Sequence, residues 1–109
     1  MDFEQVKREV IKFTEERNWD QFHTPENLAK SISIEAAELL ECFQWSPNYD
    51  KVAATEELAD IVNYCILMAD KMGINIEDAV MDKIAKNREK YPVEKSFGSS
   101  KKYTELGGI

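Results

Sequence analysis

The sequence IEAAELLE, residues 34–41, and the sequence EELAD, residues 56–60, decide how this chain folds. Each combines helical apolar spacing with an acidic pair three residues apart, and side chains at i and i+3 lie on one side of a helix, about 60° apart. If the two helices pack together, four carboxylates point at one place. These are Glu35, Glu38, Glu57 and Asp60.

Four converging carboxylates are unfavourable without a cation, because they repel one another and lose hydration. A set of oxygen ligands favours a hard ion, so the acids predict a site for Mg²⁺, with Mn²⁺ as the alternative. Glu35 falls inside the apolar stripe of its helix, about 20° from Leu28 on a helical wheel. Glu41 lies further out and is expected to be solvated or to stand behind the ligands.

Apolar periodicity along the chain predicts an all-α protein with a four-helix bundle core. The helices are expected from about Asp2 to Arg17, from Pro25 to about Phe43, from about Lys51 to Met72, and from about Ile76 to Lys90. Thr24 and Asn75 are the expected N-caps, and Gly73 is the expected left-handed stop. We expect a single domain over residues 1–109, with its core at about 2–91 and an irregular tail over 92–109.

The third predicted helix is expected to be the central one, because nearly all its sides are apolar after Ile61. Its predicted core face contains Ala54, Leu58, Ile61, Val62, Cys65, Ala69 and Met72. The apolar run from Ile61 to Ala69 is far too short to span a bilayer.

The net charge of −7 argues against non-specific binding to nucleic acid or to an anionic membrane. Both cysteines, Cys42 and Cys65, lie in apolar helical segments and are expected to be buried and unpaired. With no signal peptide visible at the start of the sequence, these features favour a cytoplasmic protein.

Aromatic side chains flank the predicted acidic cluster. Trp19 lies in the short stretch before the second helix and Trp45 just after that helix, while Tyr64 shares a face of the third helix with the second acidic pair. Such rings commonly stack on a nucleotide base, and packing at the end of the bundle explains the two tryptophans equally well. His23 is the only histidine, and a hydrogen bond beside the helix is its expected role.

Lys83 and Asn87 lie one turn apart on the fourth predicted helix. They are suited to hold a phosphate and a sugar or base, but their spacing alone favours an ordinary solvated face.

These residue types predict phosphoryl chemistry: a metal ion binds a triphosphate, and a spare carboxylate takes a proton from the attacking water. A di-iron protein is disfavoured, because neither Glu35 nor Glu57 is followed three residues later by histidine. Two non-enzymatic interpretations stay open. One is a nucleotide- or partner-binding helical bundle without catalysis, and the other is a helical interaction module whose acids are surface charges.

An ordered set of segments resembles the MazG-like all-α nucleoside triphosphate pyrophosphohydrolases, and among them the dCTP pyrophosphatase branch. The segments are ERNWDQFHTPENL (16–28), EAAELLECFQW (35–45), EELADIVNY (56–64), KIAKNREKYP (83–92) and SSKKYTEL (99–106). The resemblance implies a Mg²⁺-dependent enzyme that cleaves a nucleoside triphosphate to the monophosphate and pyrophosphate and so cleans the nucleotide pool. It implies dCTP as a candidate substrate.

The resemblance also implies residue roles, position by position. Glu35, Glu38, Glu57 and Asp60 match the metal-binding and catalytic acids. Trp19, His23, Trp45 and Tyr64 match positions around the nucleoside, and Lys83 and Asn87 match polar substrate contacts on the last core helix. A homodimer or a homotetramer built as a dimer of dimers is implied, with sites near the subunit interfaces.

Overall fold

The computed structural model describes residues 1–105, and every regular element in that range is helical. The helices are α1 (Phe3–Glu16), α2 (Pro25–Glu41), α3 (Lys51–Met72), α4 (Ile76–Lys90) and α5 (Val93–Ser96). Two 3-10 turns span Asp20–Phe22 and Tyr103–Glu105. The predicted all-α class is therefore confirmed.

The chain divides into two compact units, the first from Met1 to Ile74 and the second beginning at Asn75. The first unit contains α1, α2 and α3, and the second contains α4 and α5. The expected single domain stays a prediction. The segment expected to be irregular contains α5 and the second 3-10 turn, and its last residues, 106–109, lie outside the described residues.

The helix boundaries follow from local capping chemistry, as predicted. The Asn27 N–H donates to Thr24 Oγ1 at 3.1 Å, and the Asp78 N–H donates to Asn75 Oδ1 at 2.9 Å. Gly73 ends α3 with φ +70°, a left-handed conformation that costs a glycine little. Each cap satisfies backbone groups that the helix itself leaves unpaired.

Helix α2 ends at Glu41, before the predicted end near Phe43. The N–H groups of Cys42 and Phe43 bond to carbonyls three residues earlier, at 3.1 and 3.0 Å, so the chain tightens into a turn. The turn leads towards Ser46, whose hydroxyl accepts a hydrogen bond from the Asn48 N–H at 3.0 Å.

Within the first unit, α3 is the central helix, as predicted, because it packs against both α1 and α2. The buried apolar side chains among the described residues are Leu28, Ala54, Ile66, Leu67 and Ala69. The predicted core face of α3 is wrong at three positions: Leu58, Val62 and Met72 are 54%, 41% and 53% exposed. The two neighbouring helices leave these positions uncovered, and periodicity cannot show which parts of an apolar face a chain covers by itself.

Cys42 and Cys65 are free thiols, as predicted. Each is half-buried rather than fully buried. None of the helices within residues 1–105 has the length and apolar composition needed to cross a bilayer.

Candidate active site

Helices α2 and α3 bring the acidic side chains together. One carboxylate oxygen each from Glu35, Glu57 and Asp60 lies within 4.8 Å of the other two. Glu38 is not one of these three, but its carboxyl group is close enough to Glu35 and Glu57 to raise the pKa of both. The pairing of two helices that each present acids at i and i+3 thus produces one group of four carboxylates, which we call the acidic cluster.

Two carboxyl groups of the acidic cluster, those of Glu35 and Glu57, have raised pKa values. Desolvation, hydrogen bonds to Glu57 and Glu38, and repulsion by Glu38 and Asp60 raise the pKa of Glu35 to about 7. Hydrogen bonding with Glu38, desolvation and repulsion likewise raise the pKa of Glu57, although its hydrogen bond with Glu35 acts in the opposite direction. A proton shared within the cluster relieves part of the repulsion, as a bound cation would.

Two oxygens of the acidic cluster are shielded from solvent without a partner. They are Glu35 Oε2 and Glu57 Oε2, and no group among the described residues donates a hydrogen bond to either. Buried carboxylate oxygens are ordinarily hydrogen-bonded or bound to metal. The donor set is all oxygen and strongly negative, so these residues fit a hard divalent cation such as Mg²⁺ or Mn²⁺.

A cleft of about 610 Å³ opens beside the acidic cluster within the first unit. Apolar and aromatic side chains form most of its wall: Val6, Val10, Phe13, Trp19, Tyr64 and Leu67. Six polar or acidic residues are interspersed among them: Glu9, Thr14, Glu16, His23, Asp60 and Asn63. Apolar walls with a few placed polar groups are typical of small-molecule sites, and Asp60 belongs to the cleft and to the acidic cluster alike.

The segment between α1 and α2 supplies Trp19 and His23 to the cleft. The backbone N–H of Trp19 donates to the backbone carbonyl of Thr14 at 3.0 Å. The Trp19 ring packs edge-on against the Phe13 ring, with the ring centroids 5.6 Å apart. His23 Nδ1 is shielded from solvent, and no described group bonds to it. Its expected hydrogen bond beside the helix is thus absent at this nitrogen among residues 1–105, which leaves the atom available to a ligand.

Tyr64 stands between the cleft and the acidic cluster. Desolvation, followed by repulsion from Glu35, Asp60 and Glu38, raises the pKa of its hydroxyl. The hydroxyl therefore stays protonated at neutral pH and can donate a hydrogen bond.

Three further predicted substrate contacts are Trp45, Lys83 and Asn87. Trp45 is 89% exposed in the turn after α2 and does not line this cleft. Lys83 and Asn87 are exposed on α4, in the second unit. The roles implied for these three residues stay predictions.

Sequence reasoning missed four polar residues of the cleft: Thr14, Asn63 and the two exposed acids Glu9 and Glu16 of α1. Asn63 follows Asp60 by three residues and precedes Tyr64, so the helical spacing that groups the acids also places it on their side. Thr14 is buried, and its hydroxyl donates to the Ile11 carbonyl at 2.8 Å. A polar residue inside the apolar stripe of α1 is a signal that could have identified it.

The raised pKa of Glu35 predicts a pH-dependent stability of the metal-free protein. The Glu35 carboxyl group holds its proton more tightly in the folded chain than in the unfolded chain, where its pKa is near 4.5. The contribution of this group to the free energy of unfolding is therefore fully present below pH 4.5 and is lost as the pH rises through about 7. Urea unfolding in EDTA should show that the wild type loses stability relative to Glu35→Gln across this interval. A difference between the two proteins that stays constant over this pH range would contradict the prediction.

Comparison with known proteins identifies the family of the chain. The model of the family described as the MazG-like family matches residues 30–106. The chain is 38% identical to dCTP pyrophosphatase 1 of Bos taurus and 37% identical to dCTP pyrophosphatase 1 of Homo sapiens. These alignments cover 94% of the chain and 67% and 66% of the two relatives.

A solved structure shares the fold. The crystal structure of a pyrophosphatase from Archaeoglobus fulgidus is 42% identical in sequence, with a TM-score of 0.75 over 82% of this chain and 91% of that one. The chain spans about two thirds of the length of the curated relatives. The residues that the family model matches, 30–106, make up most of the chain. The chain therefore belongs to the MazG-like family.

Proposed function

We propose that this protein is a Mg²⁺-dependent nucleoside triphosphate pyrophosphohydrolase that converts a nucleoside triphosphate and water into the monophosphate and pyrophosphate. One observation carries the proposal: Asp60 is a member of the acidic cluster and also lines the aromatic cleft. A cation held by the cluster would therefore lie beside the phosphates of a nucleotide whose base occupies the cleft. Mn²⁺ is the alternative ion, because the same oxygen ligands suit it.

The cleft is proposed to bind the nucleoside. Trp19 and Tyr64 offer aromatic surface to a base, and stacking of this kind contributes about 1–3 kcal/mol per base. His23 Nδ1 and the Asn63 amide offer hydrogen bonds to base or sugar. The family resemblance adds Trp45, Lys83 and Asn87 as proposed further contacts to the substrate.

Glu35, Glu38, Glu57 and Asp60 are proposed to hold the metal ion and to serve the reaction. The bound ion would supply neutralisation of the triphosphate charge and a lowered pKa of the attacking water. A carboxylate of the cluster that is not engaged by the ion accepts the proton of that water. The water oxygen becomes part of the monophosphate, the bond between the α- and β-phosphates breaks, and pyrophosphate leaves.

The relatives support a narrower version of the proposal. Two of them are named dCTP pyrophosphatase 1, and the Archaeoglobus fulgidus structure is named a pyrophosphatase. We therefore propose dCTP as the first substrate to test, and removal of unwanted nucleotides from the cytoplasmic pool as the role.

Pyrophosphate release from a panel of deoxy- and ribonucleoside triphosphates, with and without Mg²⁺, tests the function. The wild type should release pyrophosphate only with the metal. Glu57→Gln should lower kcat by about 100-fold or more, because it removes a charged ligand from the site. If the folded wild type binds nucleotides in calorimetry but releases no pyrophosphate, the enzymatic function is contradicted. The alternative, a non-catalytic nucleotide-binding bundle, would then be supported.

Glu56→Gln is the matched control for that experiment. Glu56 is the neighbouring glutamate on α3 and is exposed, so the substitution makes the same chemical change outside the cluster. Its kcat and metal dependence should stay within about twofold of the wild type, since surface substitutions have small effects. Equal losses in the two variants would contradict a specific role for Glu57.

A homodimer or a homotetramer is proposed as the working assembly. The first unit leaves large apolar side chains uncovered, among them Ile34, Leu40, Val52 and Leu58, which are 58%, 70%, 68% and 54% exposed. Apolar surface of this extent on a single chain commonly marks a protein–protein interface. Sedimentation equilibrium should give two or four times the mass of the chain, whereas a monomer at all concentrations would contradict the assembly.

A further inference from the structure

The two cleft residues Trp19 and His23 bracket a very short element. They are the N-cap and the C-cap of the 3-10 turn Asp20–Phe22. We call residues 19–23 the cleft turn. Both side chains are carried by this turn, and Tyr64 of α3 lines the same cleft.

The hydrogen bonds of the cleft turn are mostly local. The turn bonds back to α1 through the Trp19 N–H, and it closes on itself when the Phe22 N–H donates to the Trp19 carbonyl at 2.9 Å. Asn27 Nδ2 of α2 donates to the Phe22 carbonyl at 3.0 Å. The Phe22 ring is 60% exposed, so it adds little burial. These contacts fix the turn to the ends of α1 and α2, and none of them reaches α3 directly.

An ion pair connects the cleft turn to α3 directly. Lys71 Nζ donates to Asp20 Oδ1, and the two residues are 51 positions apart in the sequence. The Lys71 side chain is only 25% exposed, against 53% for Asp20. Lys71 lies in the last turn of α3, where the helix dipole favours a cation. Among the hydrogen bonds of residues 1–105, this one joins the cleft turn to α3.

We propose that Lys71 is a positioning residue for substrate binding: by holding Asp20, it keeps Trp19 and His23 at the cleft. Lys71 does not line the cleft and stands outside the acidic cluster, so it does not touch the reacting atoms. Its effect on the nucleotide rests on the proposed function, whereas its effect on the cleft turn does not. An ion pair near the surface adds little to global stability, so removing it should loosen the turn without unfolding the protein.

The kinetic test is Lys71→Met, which keeps the aliphatic stem and removes the charge. KM for the best nucleotide should rise about three- to tenfold while kcat changes less than about twofold. Binding of the nucleotide must then also order the loosened turn, which weakens binding without changing the chemical step. Lys30→Met is the matched control: it breaks an exposed ion pair with Glu26 on α2, at 3.2 Å, away from the cleft. The control should leave KM unchanged. A fall in kcat with constant KM in Lys71→Met would overturn the proposal.

A fluorescence test works without any enzymatic activity. In a Trp45→Phe background Trp19 is the sole tryptophan, since the chain has two. Adding Lys71→Met should raise acrylamide quenching of Trp19, and adding Lys30→Met should not. Unchanged quenching in the folded Lys71→Met protein would overturn the proposal even if the enzyme proves inactive. Increased quenching in a protein that hydrolyses no nucleotide would support the role of the ion pair and would contradict only the proposed function.

Two rescue variants separate this link from a general loss of structure. Lys71→Arg retains the charge, so its KM and its quenching of Trp19 should be close to those of the wild type rather than to those of Lys71→Met. Asp20→Lys combined with Lys71→Asp reverses the ion pair. This double variant should show less quenching of Trp19 than either single variant, because the coupling belongs to the pair. If the reversed pair is no better than Lys71→Asp alone, Lys71 does not act through Asp20, and the proposal fails.

Discussion

Electrostatic repulsion within the acidic cluster is the constraint on which the rest of the site depends. Glu35 and Glu57 each keep one carboxylate oxygen out of solvent, and no described group donates a hydrogen bond to it. Burial of Glu35, its hydrogen bonds with Glu57 and Glu38, and repulsion by Glu38 and Asp60 raise the pKa of its carboxyl group to about 7. A divalent ion would remove the same repulsion without a proton. The packing of α2 on α3 thus creates an unfavourable arrangement that is useful to an enzyme once a metal ion is bound.

Helix α3 connects the acidic cluster to the cleft. Asp60 faces both the acidic cluster and the cleft, and Asn63 and Tyr64 follow it on α3. One helix therefore orders the charged, polar and aromatic parts of the site along its length. The cleft turn supplies Trp19 and His23 to the same cleft, and it is held by contacts with three different helices.

Sequence reasoning predicted those features that depend on local chemistry. The caps at Thr24 and Asn75, the stop at Gly73 and the bounds of α3 follow from side chains within a turn of each boundary. Contacts between distant parts of the chain could not be predicted in this way. Lys71 and Asp20 carry no signal of their pairing, since each is an ordinary charged residue on its own element. The exposure of Leu58 and Val62 was missed because an apolar stripe has the same pattern whether its own chain or a partner covers it.

The most direct test of a metal-binding acidic cluster is a crystal structure of the protein with Mn²⁺, read from the anomalous scattering of the metal. We expect an anomalous peak among Glu35, Glu38, Glu57 and Asp60, with carboxylate oxygens at about 2.0–2.3 Å from it. The peak should be lost in Glu57→Gln and kept in Glu56→Gln. A well-ordered cluster with no peak at saturating Mn²⁺, or a peak bound only elsewhere, would contradict the central claim.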